Sequence, residues 1–289
     1  MTVFEKFLTL RALKGGSGGS GGSGESGSGG SGGDDNFPIG DGDTHIWITL
    51  SEGRTSPRLG VGVNGTVTVD WGDGSEPDTL TGTSITAQKS TPTHNYEKAG
   101  NYIITLSGDG QIGISGTSAG SLLLSADESA GNNVSYCYRN AIKKIECGYN
   151  VVSVGSYAFE QCAAVQSILI SDSVKSFGGT AFSRCSSLAS VNIPDGVQSI
   201  GTYVFNSCFS LARVIFPSSV TNIASLAFYV CYSVALYDFS KHTAVPTIAN
   251  AGVFDPMAAD CEIRVPAALY DEWIAATNWT TLASKIVAV

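Results

Sequence analysis

The chain has 289 residues, 43% hydrophobic and 14% charged, enough apolar side chain for one or two packed domains and too much for a wholly disordered polymer. Twenty-five acidic against sixteen basic residues leave a formal charge of −9, with Lys and Arg scattered singly, which argues against the clustered positive charge that a phosphate backbone attracts. No window holds the ~18–20 apolar residues that a membrane-spanning helix needs, so neither nucleic acid nor a membrane span is expected.

Residues 1–14, MTVFEKFLTLRALK, place Val3, Phe7, Leu10 and Leu13 on one face of a short helix, with Phe4 beside them. Glu5, Lys6 and Arg11 interrupt the apolar run, so the usual secretory signal is not expected here. Fourteen residues are marginal as an isolated helix. The segment reads either as a docking peptide that folds onto a larger assembly through Val3, Phe4, Phe7 and Leu10, or as a frayed terminus. Residues 15–35 are dominated by Gly and Ser and read as a flexible tether, natural or an expression scar, with ends about 25 Å apart on average.

Residues 36–125 change to alternation and turns. THIWITL, GTVTVDWGDGS, GNYIITLSGDG and GSLLLS read as short strands bounded by Gly, Asn and Asp, with Val67, Val69 and Trp71 on one side of one strand and Tyr102, Ile104 and Leu106 on one side of another. A small β-sandwich is the expected architecture. VDWGDGS at 69–75 followed by THNYEKAGNYIITL at 93–106 resembles the Ig-like PKD family, although Val69 stands where that family often has Trp. The resemblance implies a spacer or a protein- or glycan-contacting module.

Residues 126–245 repeat. Phe159, Phe182, Phe205 and Phe228 are 23 residues apart, and Cys162, Cys185, Cys208 and Cys231 each follow by three. Apolar residues return six positions after each Phe (Val165, Leu188, Leu211, Val234), then at nine and eleven with strand periodicity, then at fifteen and eighteen. A degenerate copy fits the frame from Tyr136 through Ile145, Cys147, Val151 and Val154. Such a period predicts stacked coils, each giving one strand to a parallel sheet, since no single unit can bury its own apolar face. The four cysteines then stack inside as a column of small buried side chains. Disulfides or a metal are the competing readings, but spacing of 23 fits no zinc framework and no His lies at ligand spacing. The phrase IGTYVFNSCFSLARVIFPSSVTNI resembles the BspA-like leucine-rich repeat family, which implies a surface or virion protein that binds partners.

Residues 246–289 read as a terminal cap: one last strand in CEIRV, then a helix with Pro266 in its first turn and Trp273 and Trp279 over the end of the apolar column. The fold class expected is therefore mainly β, an Ig-like sandwich followed by a short leucine-rich-repeat-type solenoid with a C-terminal helical cap.

Chemistry is sparse. His45, His94 and His242 sit in no nucleophile or metal motif, and His94 reads as a strand-end packing residue. Asp41, Asp43, Asp70 and Asp73 could hold calcium or could simply form turns. No catalytic residue, cofactor or metal is expected. Positions one, two, four and five after each Phe should face outward; they are polar or small in the early copies (Glu160, Gln161, Ala163, Ala164; Ser183, Arg184, Ser186, Ser187). Later they become Asn206, Ser207, Phe209, Ser210, then Tyr229, Val230, Tyr232 and Ser233. Tyr203, Phe209, Tyr229 and Tyr232 form the candidate partner-binding patch, with Phe209 and Tyr232 stacked, unless the cap or an adjacent subunit covers them.

Peptide, tether, sandwich and repeat rod together suggest a non-enzymatic bacteriophage appendage, assembled in the host cytoplasm and carried on the virion. Its N-terminus would hold a capsid or tail protein and its repeats a host cell-surface protein or glycan. A symmetric homo-oligomer is compatible with that setting. The alternative is a secreted adhesin at a bacterial cell surface.

Overall fold

Alternating apolar residues in the first half of the chain become long paired strands, and the 23-residue period in the second half becomes coils. The computed structural model describes residues 42–53, 55–90, 93–115, 123–125 and 139–289. The anchor residues Val3, Phe4, Phe7 and Leu10, the Gly/Ser tether, Asp41 and Tyr136 lie outside the described residues.

The first strands are β1 (Thr44–Leu50), β2 (Pro57–Asp70), β3 (Asp78–Ser90), β4 (Gly100–Ser107), β5 (Gln111–Ile114) and β6 (Leu123–Ser125). Strand β2 is the hub. It pairs antiparallel with β3 from Val69↔Asp78 to Gly60↔Ser90, with β4 at Thr68↔Ser107, with β5 at Val63↔Ile112 and with β6 at Arg58↔Leu124. Where β2 and β5 meet at Gly62↔Gly113, the backbone of β3 crosses so closely that a Cβ on Gly62 would lie 1.9 Å from the Ile85 carbonyl oxygen. Only glycine fits there. Val67, Val69 and Trp71 are fully buried, and the Trp71 indole donates to Asp78 Oδ2 at 2.9 Å.

The first repeat coil pairs directly with these strands. Its two strands, β7 (Ile142–Cys147) and β8 (Val151–Val154), extend the same hydrogen-bonded sheet: β7 lies antiparallel to β1 at Ile46↔Ile145, and β8 lies parallel to β5 at Ile114↔Val154. Gly40–Val289 accordingly forms one compact unit.

From β7 onward the pairing is parallel, as stacked coils require. One ladder runs through β7, β9 (Ser167–Ile170) and β10 (Ser190–Val191), then through β12 (Arg213–Ile215), β14 (Leu236–Asp238), β16 (Glu262–Val265) and β17 (Ile286–Ala288). Between its two parts the Ala212 amide still reaches the Ala189 carbonyl at 3.3 Å. A second ladder, absent from the sequence reading, holds the opposite wall: β11 (Ser199–Ile200), β13 (Asn222–Ile223) and β15 (Thr247–Ile248), preceded by the bridge Val154↔Phe177. Each coil thus contributes to two walls rather than one, by a strand or, at Phe177, by a single bridge, because the apolar pair fifteen and eighteen positions after each Phe also folds inward; Val197, Ile200, Val220 and Ile223 are fully buried.

The interior is a column of rings. Phe159, Phe182, Phe205 and Phe228 stack face to face at 5.3, 5.2 and 5.1 Å, and Phe254 continues the stack at 5.9 Å although it comes 26 residues later. At the C-terminal end, β16 is followed by Pro266, a 3-10 turn at Ala267–Leu269, the short helix α1 (Tyr270–Ala275) and a 3-10 segment at Thr280–Lys285. Trp273 and Trp279 are fully buried, each 5.5 Å from Phe239, and the Trp279 indole donates to the Pro246 carbonyl at 2.8 Å. Two expectations need correction here. Strand β16 is not the last, since β17 pairs with it in parallel at Ile263↔Ile286, and helix is a minor part of this segment. Three residues, Ile-Val-Ala, carry too little periodicity to be read as a strand; they become one because the β16 edge offers unpaired backbone groups.

Candidate functional site

The turns that follow the second ladder position every candidate contact residue. Each turn is built around a buried Ala-Phe or Val-Phe pair and a buried Cys three residues later. The amide of each Phe donates to the carbonyl one position before the next coil's Phe: Phe159 to Ala181 at 2.7 Å, Phe182 to Val204 at 2.9 Å and Phe205 to Ala227 at 2.8 Å. Two residues later a second bond repeats: Gln161 to Ser183 at 2.8 Å, Arg184 to Asn206 at 2.7 Å, Ser207 to Tyr229 at 2.8 Å and Val230 to Asp255 at 2.9 Å. These bonds lock coil on coil, so side chains at equal offsets lie over one another.

The cysteines do more than fill space. Cys185 Sγ donates to the Phe159 carbonyl at 3.2 Å, Cys208 to Phe182 at 3.3 Å and Cys231 to Phe205 at 3.1 Å, so these three thiols each tie their coil to the one before. The six described cysteines are free and buried. Burial pushes the Cys147, Cys162 and Cys231 thiols up to about 12, and raises Cys185 and Cys208 well above the ordinary thiol value. A thiol held neutral this far above physiological pH is a poor nucleophile and a poor metal ligand.

Between the buried positions, Tyr203, Phe209, Tyr229 and Tyr232 reach the surface, and Phe209 and Tyr232 are 43% and 56% exposed. Their rings stack, with centroids 5.7 Å apart and planes within 15°. Around them lie Asn206, Ser207, Ser210, Val230 and Ser233, all uncharged and at least partly exposed. One outward assignment fails: Ser183 is buried, its hydroxyl accepting from Asn206 Nδ2 at 3.2 Å, because the residue after Phe is held under the next coil's Asn. Tyr149, also exposed, lies in the β7–β8 turn and not in these turns.

The backbone here has a feature that sequence reading missed. Tyr157, Thr180, Tyr203 and Leu226, two residues before each Phe, and Gln161, Arg184, Ser207 and Val230, two residues after, all have φ between 58° and 64°. Left-handed backbone costs a residue with a Cβ about 1–2 kcal/mol. None of the eight is Gly or Asn, so composition gave no signal; only the regular spacing around each Phe could have suggested a fixed turn.

The other singled-out residues have structural roles. His94 lies in a loop rather than at a strand end, stacked on Trp71 at 4.6 Å, with Nε2 2.8 Å from Asp73 Oδ2. Burial raises the Asp73 pKa, but hydrogen bonds from His94 and Ser75 outweigh it and hold the carboxyl below its ordinary value. Asp70 accepts from the Gly72 amide, so both carboxylates close their own turn. His45 Nδ1 lies 3.1 Å from Thr105 Oγ1, and His242 is buried with Nε2 3.0 Å from the Val220 carbonyl. Among the described residues no group of three His, Cys, Asp or Glu is placed to hold a metal ion.

Stacked coils with a thiol and a phenylalanine at fixed places define a solenoid of repeats. Residues 132–244 match the family model of the BspA type leucine rich repeat region in six copies, where four in-register copies and one degenerate copy are legible by eye. Two solved structures are similar: the T. pallidum leucine rich repeat protein TpLRR, at 22% identity over 55% of this chain and 65% of that one, TM-score 0.36, and a leucine-rich repeat protein from Bacteroides ovatus, at 27% identity over 40% of this chain and 36% of that one, TM-score 0.32. The chain spans less than two thirds of the length of either. No curated protein matches it.

Proposed function

We propose that the protein is a non-enzymatic display protein whose repeat coils bind a surface partner through Tyr203, Phe209, Tyr229 and Tyr232. The observation that carries this is the gathering of four exposed aromatics on two successive turns of one rigid ladder, with the exposed Arg184 and Asp255 on the coils to either side. Lone surface apolars need no explanation, whereas a cluster held by a repeating backbone does. The match to BspA-type repeats, a class of binding and scaffold proteins, favours contact over turnover. Replacing Tyr229 and Tyr232 with Ser should abolish partner binding while leaving the melting temperature unchanged; unchanged binding would remove the patch from the function.

In the fuller form of this reading, residues 1–14 anchor the chain to a capsid or tail protein of a bacteriophage, the PKD-like strands act as an Ig-like spacer, and a host surface protein or glycan is the target. Detection of the protein in purified particles tests the virion anchor. The BspA-type match also suits a second setting, a bacterial cell-surface adhesin, for which the protein would instead be found in the envelope fraction.

A further inference from the structure

We infer that His242 makes the C-terminal cap an acid-sensitive device: on taking up a proton it drives α1 off the last coil, while the coils before it stay stacked. The device is independent of the aromatic patch.

The residue fourteen positions after a repeat Phe has a recurring task. Ser173 Oγ donates to the Val151 carbonyl of the preceding coil at 2.6 Å, and Ser219 Oγ donates to the Val197 carbonyl at 2.8 Å. Gly196 holds that place in the coil between and has no side chain to donate; its amide donates to Ser219 Oγ at 3.0 Å. In the last coil the place belongs to His242, whose Nε2 lies 3.0 Å from the Val220 carbonyl. A carbonyl can only accept, so Nε2 carries the hydrogen and Nδ1 of the neutral ring holds a lone pair. A serine hydroxyl in this position does not titrate near neutral pH, whereas an imidazole does.

The surroundings suit the neutral ring and oppose the charged one. His242 is 5% exposed, with the rings of Phe239 and Trp273 at centroid distances of 5.1 and 6.1 Å. Its Nδ1 is buried without a hydrogen-bond partner, as is the indole nitrogen of Trp273, which is a donor only and offers an Nδ1 proton no acceptor. Among the charged groups on the elements around it, Asp238 at the end of β14 favours the proton. Lys241 on the same coil and Asp271 and Glu272 on α1 are exposed, and Glu262 and Arg264 on β16 pair with each other at 3.0 Å. The turns at 217–221 and 276–279 carry no charge. Burial outweighs Asp238 and the Val220 and Phe239 carbonyls and lowers the His242 pKa below the ordinary imidazole value. An opened ring therefore binds the proton first as pH falls: the stabilisation is complete above about pH 6.5 and is lost toward the lowered folded value. The least costly relief is local. Trp273 is carried by a six-residue helix too short to stand alone, so its departure hydrates Nδ1 and leaves the Val220 bond in place.

The test is hydrogen exchange on the full chain between about pH 7.5 and about pH 5, with the intrinsic pH dependence of exchange divided out. Protection of α1 should fall about tenfold per pH unit below about pH 6.5 until the folded-state value is reached, while the amides of Phe182 and Phe205 stay protected. His242→Gln, which keeps a donor for the Val220 carbonyl, and His242→Ser, which restores the residue of the earlier coils, should both abolish the fall. His94→Gln, in the N-terminal strands, should leave it unchanged. Because Ser leaves space beside Trp273, the pH slope and not the melting temperature decides, and the Gln variant reads the same slope with the space filled. A fall that persists in both His242 variants overturns the inference, as does a uniform loss across the coils or an unchanged α1 in the parent chain.

Discussion

The two halves of the described chain solve the same backbone problem differently. Among the described residues of the N-terminal strands, every left-handed position is a glycine: Gly42, Gly53, Gly65, Gly72, Gly74 and Gly108. In the turns around each repeat Phe the left-handed positions are Tyr157, Gln161, Thr180, Arg184, Tyr203, Ser207, Leu226 and Val230, while Gly196 and Asn278 are left-handed elsewhere in this half. A turn that occurs once must be written into its own residues, because nothing else will hold it. A turn that recurs is held by its neighbours. Two backbone bonds to the next coil, each worth about 0.5–1.5 kcal/mol net, together with a fully buried Phe worth about 3 kcal/mol, exceed the cost of two left-handed residues. The side chains at those positions are thereby released from turn chemistry, and this is how Tyr203 and Val230 come to sit in the patch.

Five measurements break or sharpen that contrast. The largest effect should come from removing the N-terminal strands: a chain beginning at Arg139 exposes the β7 and β8 edges that β1 and β5 cover and should lose cooperative unfolding and aggregate, as read by chromatography and circular dichroism. A stable, monomeric fragment would show that the repeats need no partner strands.

Alkaline pH should come next. The buried thiols have folded-state pKa values raised by burial, to about 12 for Cys147, Cys162 and Cys231, so the unfolded chain loses protons first as pH rises. Stability should be complete below about pH 9 and fall toward pH 12 by about 1.4 kcal/mol per pH unit for each such thiol. Urea titrations at successive pH values measure this slope, and replacing Cys162 and Cys231 with Ala should reduce it.

Phe205→Ala removes a central ring of the stack and should cost about 3–5 kcal/mol in urea unfolding. Val230→Gly should have the opposite sign: it relieves a β-branched residue at φ 63° and should stabilise by about 1 kcal/mol, while a Gly65→Ala change in the N-terminal strands, at φ 102°, should destabilise. The smallest effect should be Asp73→Asn, below about 0.5 kcal/mol near neutral pH because the pair with His94 is close to the surface. Because the Asp73 carboxyl is held below its ordinary pKa, its contribution is present above that ordinary value and lost as pH falls through the folded one, which the Asn variant should not show.

Much of the repeat architecture is legible in the chain because a 23-residue period marks the same buried offsets four times: Phe, Cys three later, and the apolar pairs beyond. The same period puts Phe209 and Tyr232 on adjacent coils, where their rings stack. Other elements were not legible for identifiable reasons. Ser199–Ile200 and Ile286–Ala288 are two- and three-residue strands whose pairing depends on the coil beside them. Ser183 is polar and sits between outward positions, yet a hydrogen bond from the next coil's Asn206 holds it inside.

The periodic apolar pattern by itself determined that the chain would coil and which ring and thiol would lie inside, since burying a repeated face allows little else. Tertiary structure alone decided that β1 and β5 would extend the first coil's strands, that the thiols would bond to carbonyls one coil away, and that residues without left-handed preference would adopt left-handed turns. Those outcomes depend on edges and carbonyls supplied by distant parts of the chain, and no local propensity can encode a partner that only stacking brings within reach.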